Sequence, residues 1–319
     1  MKGLTESTLD GWFKKTVELL KPLYEELKWE VFSCDYVQAD ETTVPVINRE
    51  KHRADKEYLW MVRSVMEKLV IFHYDGGSRA GAVIESLANQ YNFKGYLQCD
   101  GFAGYETAFK TNPDVRLLNC LVHIRRHFEQ ALDENREMAQ HALTQIQHIY
   151  KIERQCDEAG LSYDERRQTR QELSRPIMEA MKVWMETEGI KYSPSSLTGK
   201  AITYAYTKWD NIMRCLDDGR LYWDNNLAEN VQRPITLSRK NFLFCGNHEA
   251  AANMSVICSL LATCKAHDVN PRNYLNDVIA QMPYHKNATH EILLDLLPHK
   301  WKLKHPESIL TKQHGVSDN

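Results

Sequence analysis

The chain has 319 residues, of which 43% are hydrophobic and 26% charged, the ordinary balance of a globular protein. No stretch approaches the roughly 20 apolar residues of a membrane span, and the N-terminus has no apolar core of signal-peptide type, so we expect no membrane partner. Eight scattered cysteines indicate reduced thiols and therefore a cytoplasmic protein. The net charge of −3 excludes a globally basic nucleic-acid-binding protein but permits local basic patches.

The first 127 residues predict a helical segment followed by a sheet. Residues 1–30 form the N-terminal helical segment, because Trp12, Val17 and Leu20 begin a helical stripe. Residues 31–127 alternate between β-rich and helical patterns. Their predicted elements are strands over 31–46, 58–65 and 68–74, a helix from Ser78, a strand over 95–99, a helix over 105–110 and a strand over 115–122. This order predicts an α/β fold with a mixed sheet flanked by helices.

The remaining residues are predominantly helical in pattern. Residues 128–220 predict a large all-helical segment inserted into the chain, and Ser162 and Glu165 have the spacing of a capping box. Residues 221–298 would complete the core. Their predicted elements are a helix over 223–232, an extended segment over 239–245 and helices over 250–266 and 271–282. The basic, polar residues 299–319 predict a flexible tail.

Three acidic residues stand out by their local context. Asp40 lies within a strand pattern, where aspartate is depleted. Asp100 follows a predicted strand, and strand ends are where open α/β sheets bind ligands. Glu229 lies in a predicted helix beside two asparagines. Taken singly, each has a simpler interpretation: an exposed edge-strand residue, a turn residue and a solvated helix residue.

Taken together, the three carboxylates would suit one kind of chemistry. Two divalent cations about 3.5–4 Å apart stabilise the attacking and leaving oxygens of an in-line phosphoryl displacement. Such hard cations prefer carboxylate oxygens. Carboxylates from a central strand, a neighbouring strand end and a nearby helix would form their cage and allow water or a DNA 3′-hydroxyl to attack a phosphate.

Several strings of the sequence resemble one known family. They are Ala39-Asp40-Glu41-Thr42, Gln98-Cys99-Asp100-Gly101-Phe102-Ala103-Gly104-Tyr105, Cys120-Leu121-Val122-His123-Ile124-Arg125-Arg126, Asp224-Asn225-Asn226-Leu227-Ala228-Glu229 and Arg239-Lys240-Asn241-Phe242-Leu243-Phe244. Together and in this order, they resemble bacterial transposases of the insertion sequence 66 family over roughly residues 5–300.

The resemblance implies a ribonuclease-H-like core whose Asp-Asp-Glu triad falls on Asp40, Asp100 and Glu229. These three residues would bind two Mg²⁺ or Mn²⁺ ions and catalyse the cleavage and transfer of DNA strands during transposition. The long interval between Asp100 and Glu229 then holds the inserted helical segment.

The motif Cys120-x-x-His123 has three interpretations. The family pattern implies a catalytic His123 that touches the scissile phosphate. Cys-x-x-His is also half of a zinc site, although the sequence offers no second pair at ligand spacing. The third interpretation is a buried core pair.

Basic and amide side chains beside these motifs are candidates for DNA contact. The resemblance implies that Arg233, Arg239 and Lys240 approach DNA phosphates. Arg125 and Arg126, earlier in the chain, would do the same. Asn225 and Asn226 are further candidates. For each basic patch the alternative is a solvated protein face. Trp209 and Trp223 would either stack on a base or pack in the core.

The resemblance implies that full-length members carry an N-terminal region with DNA-binding and zinc-binding elements before the catalytic part, and we expect the present chain to start just upstream of that part. The alternative function is therefore a truncated or domesticated remnant that binds DNA or protein partners without catalysis. A ribonuclease-H-like nuclease or resolvase would share the metal site. The resemblance further implies DNA partners (element ends and target), self-association and accessory proteins of the same element.

Overall fold

The computed structural model describes residues 5–285 and 287–310 and is of the α/β class, with a mixed five-stranded sheet and many helices. The elements up to residue 158 are α1 (Glu6–Phe32), β1 (Tyr36–Asn48), β2 (Arg53–Ser64), β3 (Val70–His73), α2 (Ala82–Gln90), β4 (Gly95–Cys99), α3 (Ala103–Phe109), β5 (Val115–Asn119), α4 (Leu121–Ala131) and α5 (Arg136–Glu158). The predicted α/β class is confirmed.

The later elements are helical. They are α6 (Tyr163–Thr169), a π-helix (Arg170–Ser174), α7 (Arg175–Gly189), α8 (Leu197–Met213), α9 (Asn226–Phe242), α10 (His248–Ala266), α11 (Pro271–Gln281), α12 (His290–Leu296) and α13 (Pro298–Lys304), with short 3₁₀ turns at Arg214–Leu216, Met282–Tyr284 and Pro306–Ser308. Within the described part of the chain, no helix combines the length and the apolar character that crossing a membrane requires.

The chain divides into two compact units. Unit 1 takes the described residues up to Gly95 and from Leu227 onward, and unit 2 is Tyr96–Asn226. This division does not test the domain boundaries predicted from the sequence. Those boundaries, including the inserted segment over 128–220, stay a prediction.

Unit 1 contains an antiparallel arrangement of β1, β2 and β3. Asp40 lies opposite Met61 in the β1–β2 register, and Trp60 lies opposite His73 in the β2–β3 register. The strands predicted over 58–65 and 68–74 are therefore confirmed, and they pair with each other as a hairpin. One face of these strands contributes Val44, Leu59, Met61 and other apolar side chains to a cluster that includes residues of α9 and α10.

The outer strand of unit 1, β3, is covered by α10. The hydroxyl of Thr263 accepts a hydrogen bond from the Val70 backbone N–H at 3.1 Å, and that of Ser259 accepts one from the Phe72 N–H at 2.8 Å. Tyr24 of α1 donates to the Phe72 carbonyl at 2.7 Å. Side chains thus satisfy backbone groups that an outer strand would otherwise present to another chain.

Unit 2 is built around buried polar contacts as well as apolar packing. Strand β4 lies beside β5. Trp209 of α8 is fully buried and donates to the carbonyl of Met178 in α7 at 3.0 Å. Trp223 is 2% exposed and donates to Glu153 at 2.9 Å. Both tryptophans therefore pack in the core, and base stacking is excluded for them in this conformation.

Several predicted segments differ from the structure. The strand predicted over 31–46 starts later, because α1 continues to Phe32. The segment over 239–245 was expected to be extended, but α9 continues to Phe242 because its apolar face, including Ile235, packs on the sheet. At the start of the flexible tail predicted over 299–319, residues Pro298–Lys304 form a helix that buries Trp301. The rest of that predicted tail, residues 311–319, lies outside the described residues.

Candidate active site

Asp40 lies on the helix-facing side of β1 in unit 1. Side chains alternate along a strand, and Val44 and Val46 share a hydrophobic cluster with Ala228 and Ile235 of α9. The even-numbered Asp40 is therefore on the same face as these two valines. It is partly exposed, and its Oδ1 accepts a hydrogen bond from the Glu41 N–H at 2.8 Å. Gln38 and Thr42 share this face, so Asp40 lies in its polar part, next to the apolar part formed by the two valines.

Helix α9 is attached to β1 on both sides of Asp40. The Ala228 N–H donates to Gln38 Oε1 at 3.1 Å, and Arg239 Nη1 donates to both the carbonyl and the hydroxyl of Thr43 at 2.6 Å. Glu229, the partly exposed residue after Ala228, lies in the first turn of this helix. Unit 1 therefore brings the strand segment that carries Asp40 alongside the helix that carries Glu229.

Asp100 belongs to unit 2 and is held at the end of β4. Its Oδ1 accepts from the Phe102 N–H at 2.8 Å, which is the bond of an Asx turn. Its backbone carbonyl accepts from Asn119 at 2.8 Å, and Asn119 in turn accepts from Asn211 at 2.9 Å. The turn interpretation of Asp100 is correct as local structure. The Asp100 side chain remains partly exposed in this turn.

Tyr204 of α8 is a residue of this region that sequence reasoning missed. Its hydroxyl hydrogen-bonds to the Gly101 backbone and packs so closely that a Cβ at Gly101 would collide with it. Burial first, and the charge of Asp100 second, raise the pKa of Tyr204, so it stays a neutral phenol. The ring of His127 lies against that of Tyr204, with the ring centroids 4.1 Å apart and the ring planes tilted by 35°. Tyr204 carried only helical periodicity in the sequence, which gave no signal of this contact.

Cys120 and His123 flank the start of α4 in unit 2. Cys120 is 1% exposed, and burial raises the pKa of its thiol to about 12. The burial of Cys120 agrees with the core interpretation of this residue. His123 is partly exposed, and its Nε2 lies 3.4 Å from the Arg126 guanidinium. A catalytic role for His123 stays a prediction.

The predicted DNA-contacting residues fall into two groups. Exposed side chains accessible to a large ligand are those of Arg125, Arg126, Asn226, Arg233 and Lys240. Arg125 pairs with Glu129 of the next helical turn at 2.8 Å, a surface pair that a phosphate could replace.

The second group is engaged inside the protein. Arg239 is partly buried and binds Thr43, as described above. Asn225 is fully buried, and its amide nitrogen and oxygen have no hydrogen-bond partner among the described residues. Asn225 lies just before the first residue of α9. Arg239 and Asn225 are thus less accessible to DNA than the five exposed residues of the first group.

Comparison with known proteins supplies the family context. Residues 3–253 match the family model described as transposase IS66 family, and residues 259–299 match the model described as IS66 C-terminal element. Two similar proteins from Sinorhizobium fredii, described as uncharacterized proteins y4hP and y4jD, are each 28% identical to this chain over 94% of its length. The chain spans 56% of y4hP and 60% of y4jD, so it corresponds to little more than half of either relative.

Proposed function

Because this chain belongs to the IS66 family of transposases, we propose that it catalyses divalent-metal-dependent cleavage and transfer of DNA strands during transposition of an insertion sequence. One observation carries the proposal: the Gln38–Ala228 and Thr43–Arg239 bonds hold the helix of Glu229 along the strand of Asp40. This attachment supports a shared catalytic role for two acids that are far apart in sequence. The ribonuclease-H-like core with an inserted helical segment is part of the same proposal.

Asp40, Asp100 and Glu229 would hold two Mg²⁺ or Mn²⁺ ions. The donor set fits, because all three are carboxylates that remain partly exposed, and hard divalent cations bind carboxylate oxygens. When bound, such ions would supply activation of the attacking oxygen and stabilisation of the leaving oxygen. The protein's own contribution is to fix the carboxylates: β1 is braced by α9, and the Asp100 turn is held by Phe102 and Asn119.

The surrounding residues would orient DNA in this function. Arg125, Arg126, Arg233, Lys240 and Asn226, all exposed, would contact phosphates of the element ends and the target. His123 would approach the scissile phosphate. Arg239 and Asn225 would position α9, in place of the direct DNA contacts that the sequence suggested. Binding would weaken steeply with salt, because phosphate contacts release counterions.

The family function also implies assembly. A transposase that joins two element ends would act in the cytoplasm as a homo-oligomer, with accessory proteins of the same element as further partners. These partners belong to the whole transposition machinery. The present chain corresponds to only part of the length of its relatives.

The test measures cleavage of DNA carrying the element ends, with MgCl₂ or MnCl₂, by the chain and by four variants. Asp40→Asn, Asp100→Asn and Glu229→Gln should each lower the cleavage rate by about a thousandfold, since removing a metal ligand removes several kcal/mol of transition-state stabilisation. Glu18→Gln, which changes an exposed acid of α1, is the matched control and should cleave normally.

Two outcomes would contradict the proposal. Metal-dependent cleavage that survives Asp40→Asn would place the chemistry at other residues. Salt-sensitive DNA binding with no cleavage by any form of the chain would favour a remnant that binds DNA without catalysis. Thermal denaturation of each variant checks that the fold is retained.

A further inference from the structure

A second group of metal-ligating side chains lies in unit 1, on elements that the proposed catalytic function does not use. Glu26 and Glu30 are one helical turn apart on α1, so they lie on the same face. His290 begins α12, with its Nδ1 2.6 Å from Glu26 Oε1 and its Nε2 4.0 Å from Glu30 Oε1. One ligand atom from each residue lies within 4.8 Å of the other two.

An independent observation points from this cluster to a cation. Glu26 is only 7% exposed, yet its Oε1 receives no hydrogen bond. His290 Nδ1 is close enough to bond but lies outside hydrogen-bond geometry, so proximity alone does not satisfy the oxygen. A buried carboxylate oxygen without a donor is costly. A cation bound between the three side chains would remove that cost.

The charge balance of the cluster agrees with this. Glu26 is buried and Glu30 is partly buried, so both carboxylates are largely withdrawn from solvent. Two carboxylates on one helix face repel each other, and the His290 side chain beside them is exposed to solvent. A divalent cation would turn this repulsion into attraction.

We propose that Glu26, Glu30 and His290 bind one Zn²⁺ ion. The ligand set of one imidazole nitrogen and two carboxylate oxygens is one that zinc accepts, with a fourth position left for water. The imidazole argues against Mg²⁺, which prefers oxygen ligands. An adjoining cavity of about 670 Å³, lined in part by Trp29, Tyr91 and Leu293, gives the ion a route from solvent.

Such an ion would link two distant parts of the chain. It would tie α12, which lies in the stretch matched as the C-terminal element, to the N-terminal helix α1. The site therefore has a structural purpose, separate from DNA cleavage. Its existence does not depend on the proposed catalytic function.

The experiment uses the full chain carrying Asp40→Asn, Asp100→Asn and Glu229→Gln, so that the proposed catalytic carboxylates do not contribute. After removal of metal with EDTA, ZnCl₂ is titrated by calorimetry and by thermal denaturation. We expect one equivalent of Zn²⁺ to bind and, at a hundredfold excess over Kd, to raise the melting temperature by about 5–10 °C.

Matched variants separate the site from general zinc binding. Glu30→Gln and His290→Asn should each weaken zinc binding by at least about tenfold, whereas Glu30→His, which keeps a ligand, should retain it. Exposed residues elsewhere in unit 1 provide the controls Glu18→Gln and His52→Asn, which should bind as the parent does. Absence of stoichiometric binding, or binding unchanged in both Glu30→Gln and His290→Asn, would overturn the proposal and leave a plain Glu–His ion pair.

Discussion

The buried carboxylate of Glu153 offers the sharpest test of what holds unit 2 together. Glu153 is 8% exposed and accepts hydrogen bonds from Arg170 at 2.7 and 2.8 Å, from Arg166 at 3.0 Å and from Trp223 at 2.9 Å. Burial acts to raise the pKa of Glu153, but these donors, with Arg170 foremost, lower it overall. The carboxylate is therefore charged and fully engaged at neutral pH.

Glu153→Ala would leave a buried guanidinium without its partner. Arg170 is 2% exposed, and its remaining bonds are to the carbonyls of Cys215 at 2.8 Å and Asp218 at 3.0 Å, which do not neutralise its charge. Removing one member of a buried ion pair costs about 3–5 kcal/mol. We expect a loss of this size in the free energy of unfolding.

Urea denaturation followed by far-ultraviolet circular dichroism would measure this loss. The control is Glu188→Ala, which breaks the pair of Glu188 with Lys191, whose side chain is 58% exposed, and should cost less than about 1 kcal/mol. The double variant Glu153→Leu/Arg170→Met should lose clearly less than the sum of its single changes, because no buried charge is left unpaired. A loss for Glu153→Ala no larger than that for Glu188→Ala would refute the reasoning.

Three further predictions concern other parts of the molecule. Ser259→Ala with Thr263→Val should lower the free energy of unfolding by about 1–3 kcal/mol for each buried N–H left unsatisfied and increase light scattering on heating. In thermal denaturation, Gly101→Ala should destabilise unit 2 by about 1–3 kcal/mol, because the added methyl group would collide with a tyrosine hydroxyl. The control Gly11→Ala, at an open helix position, should be neutral or stabilising in the same measurement. Burial lowers the pKa of His73 from 6.5 to about 4. Protonation of this residue then favours the unfolded chain, so the free energy of unfolding falls as the pH drops from about 6.5 to about 4. His73→Gln should remove this contribution and flatten the acid side of the stability–pH curve.

Local sequence patterns were sufficient where neighbouring residues determine the structure. The capping box at Ser162 and Glu165 is present with both of its hydrogen bonds, and the strand over 95–99 has the predicted bounds. These features depend on side-chain spacing and turn residues within a few positions, which the sequence displays directly.

Features that depend on distant residues were not accessible in this way. The segment after Ser238 has the aromatic and apolar content of a strand, but packing of α9 on the sheet and the Arg239–Thr43 bond keep it helical as far as Phe242. The approach of Tyr204 to Gly101 and that of His290 to Glu26 join residues from separate helices and loops. No periodicity marks such contacts. The metal-binding role of the three acids likewise rests on the family and stays a prediction.

The hydroxyl groups that bond the backbone of β3 show how the two stretches matched by the family models depend on each other in this chain. The stretch matched by the first family model ends at residue 253, whereas Ser259 and Thr263 lie in the stretch matched by the second. A polypeptide that ended between the two stretches would retain β3 but lose the hydroxyl groups that bond its amides. The unpaired edge of β3 could then pair with the same strand of another copy. The C-terminal element therefore contributes to the fold of the preceding sheet, because its hydroxyl groups satisfy the outer-strand amides.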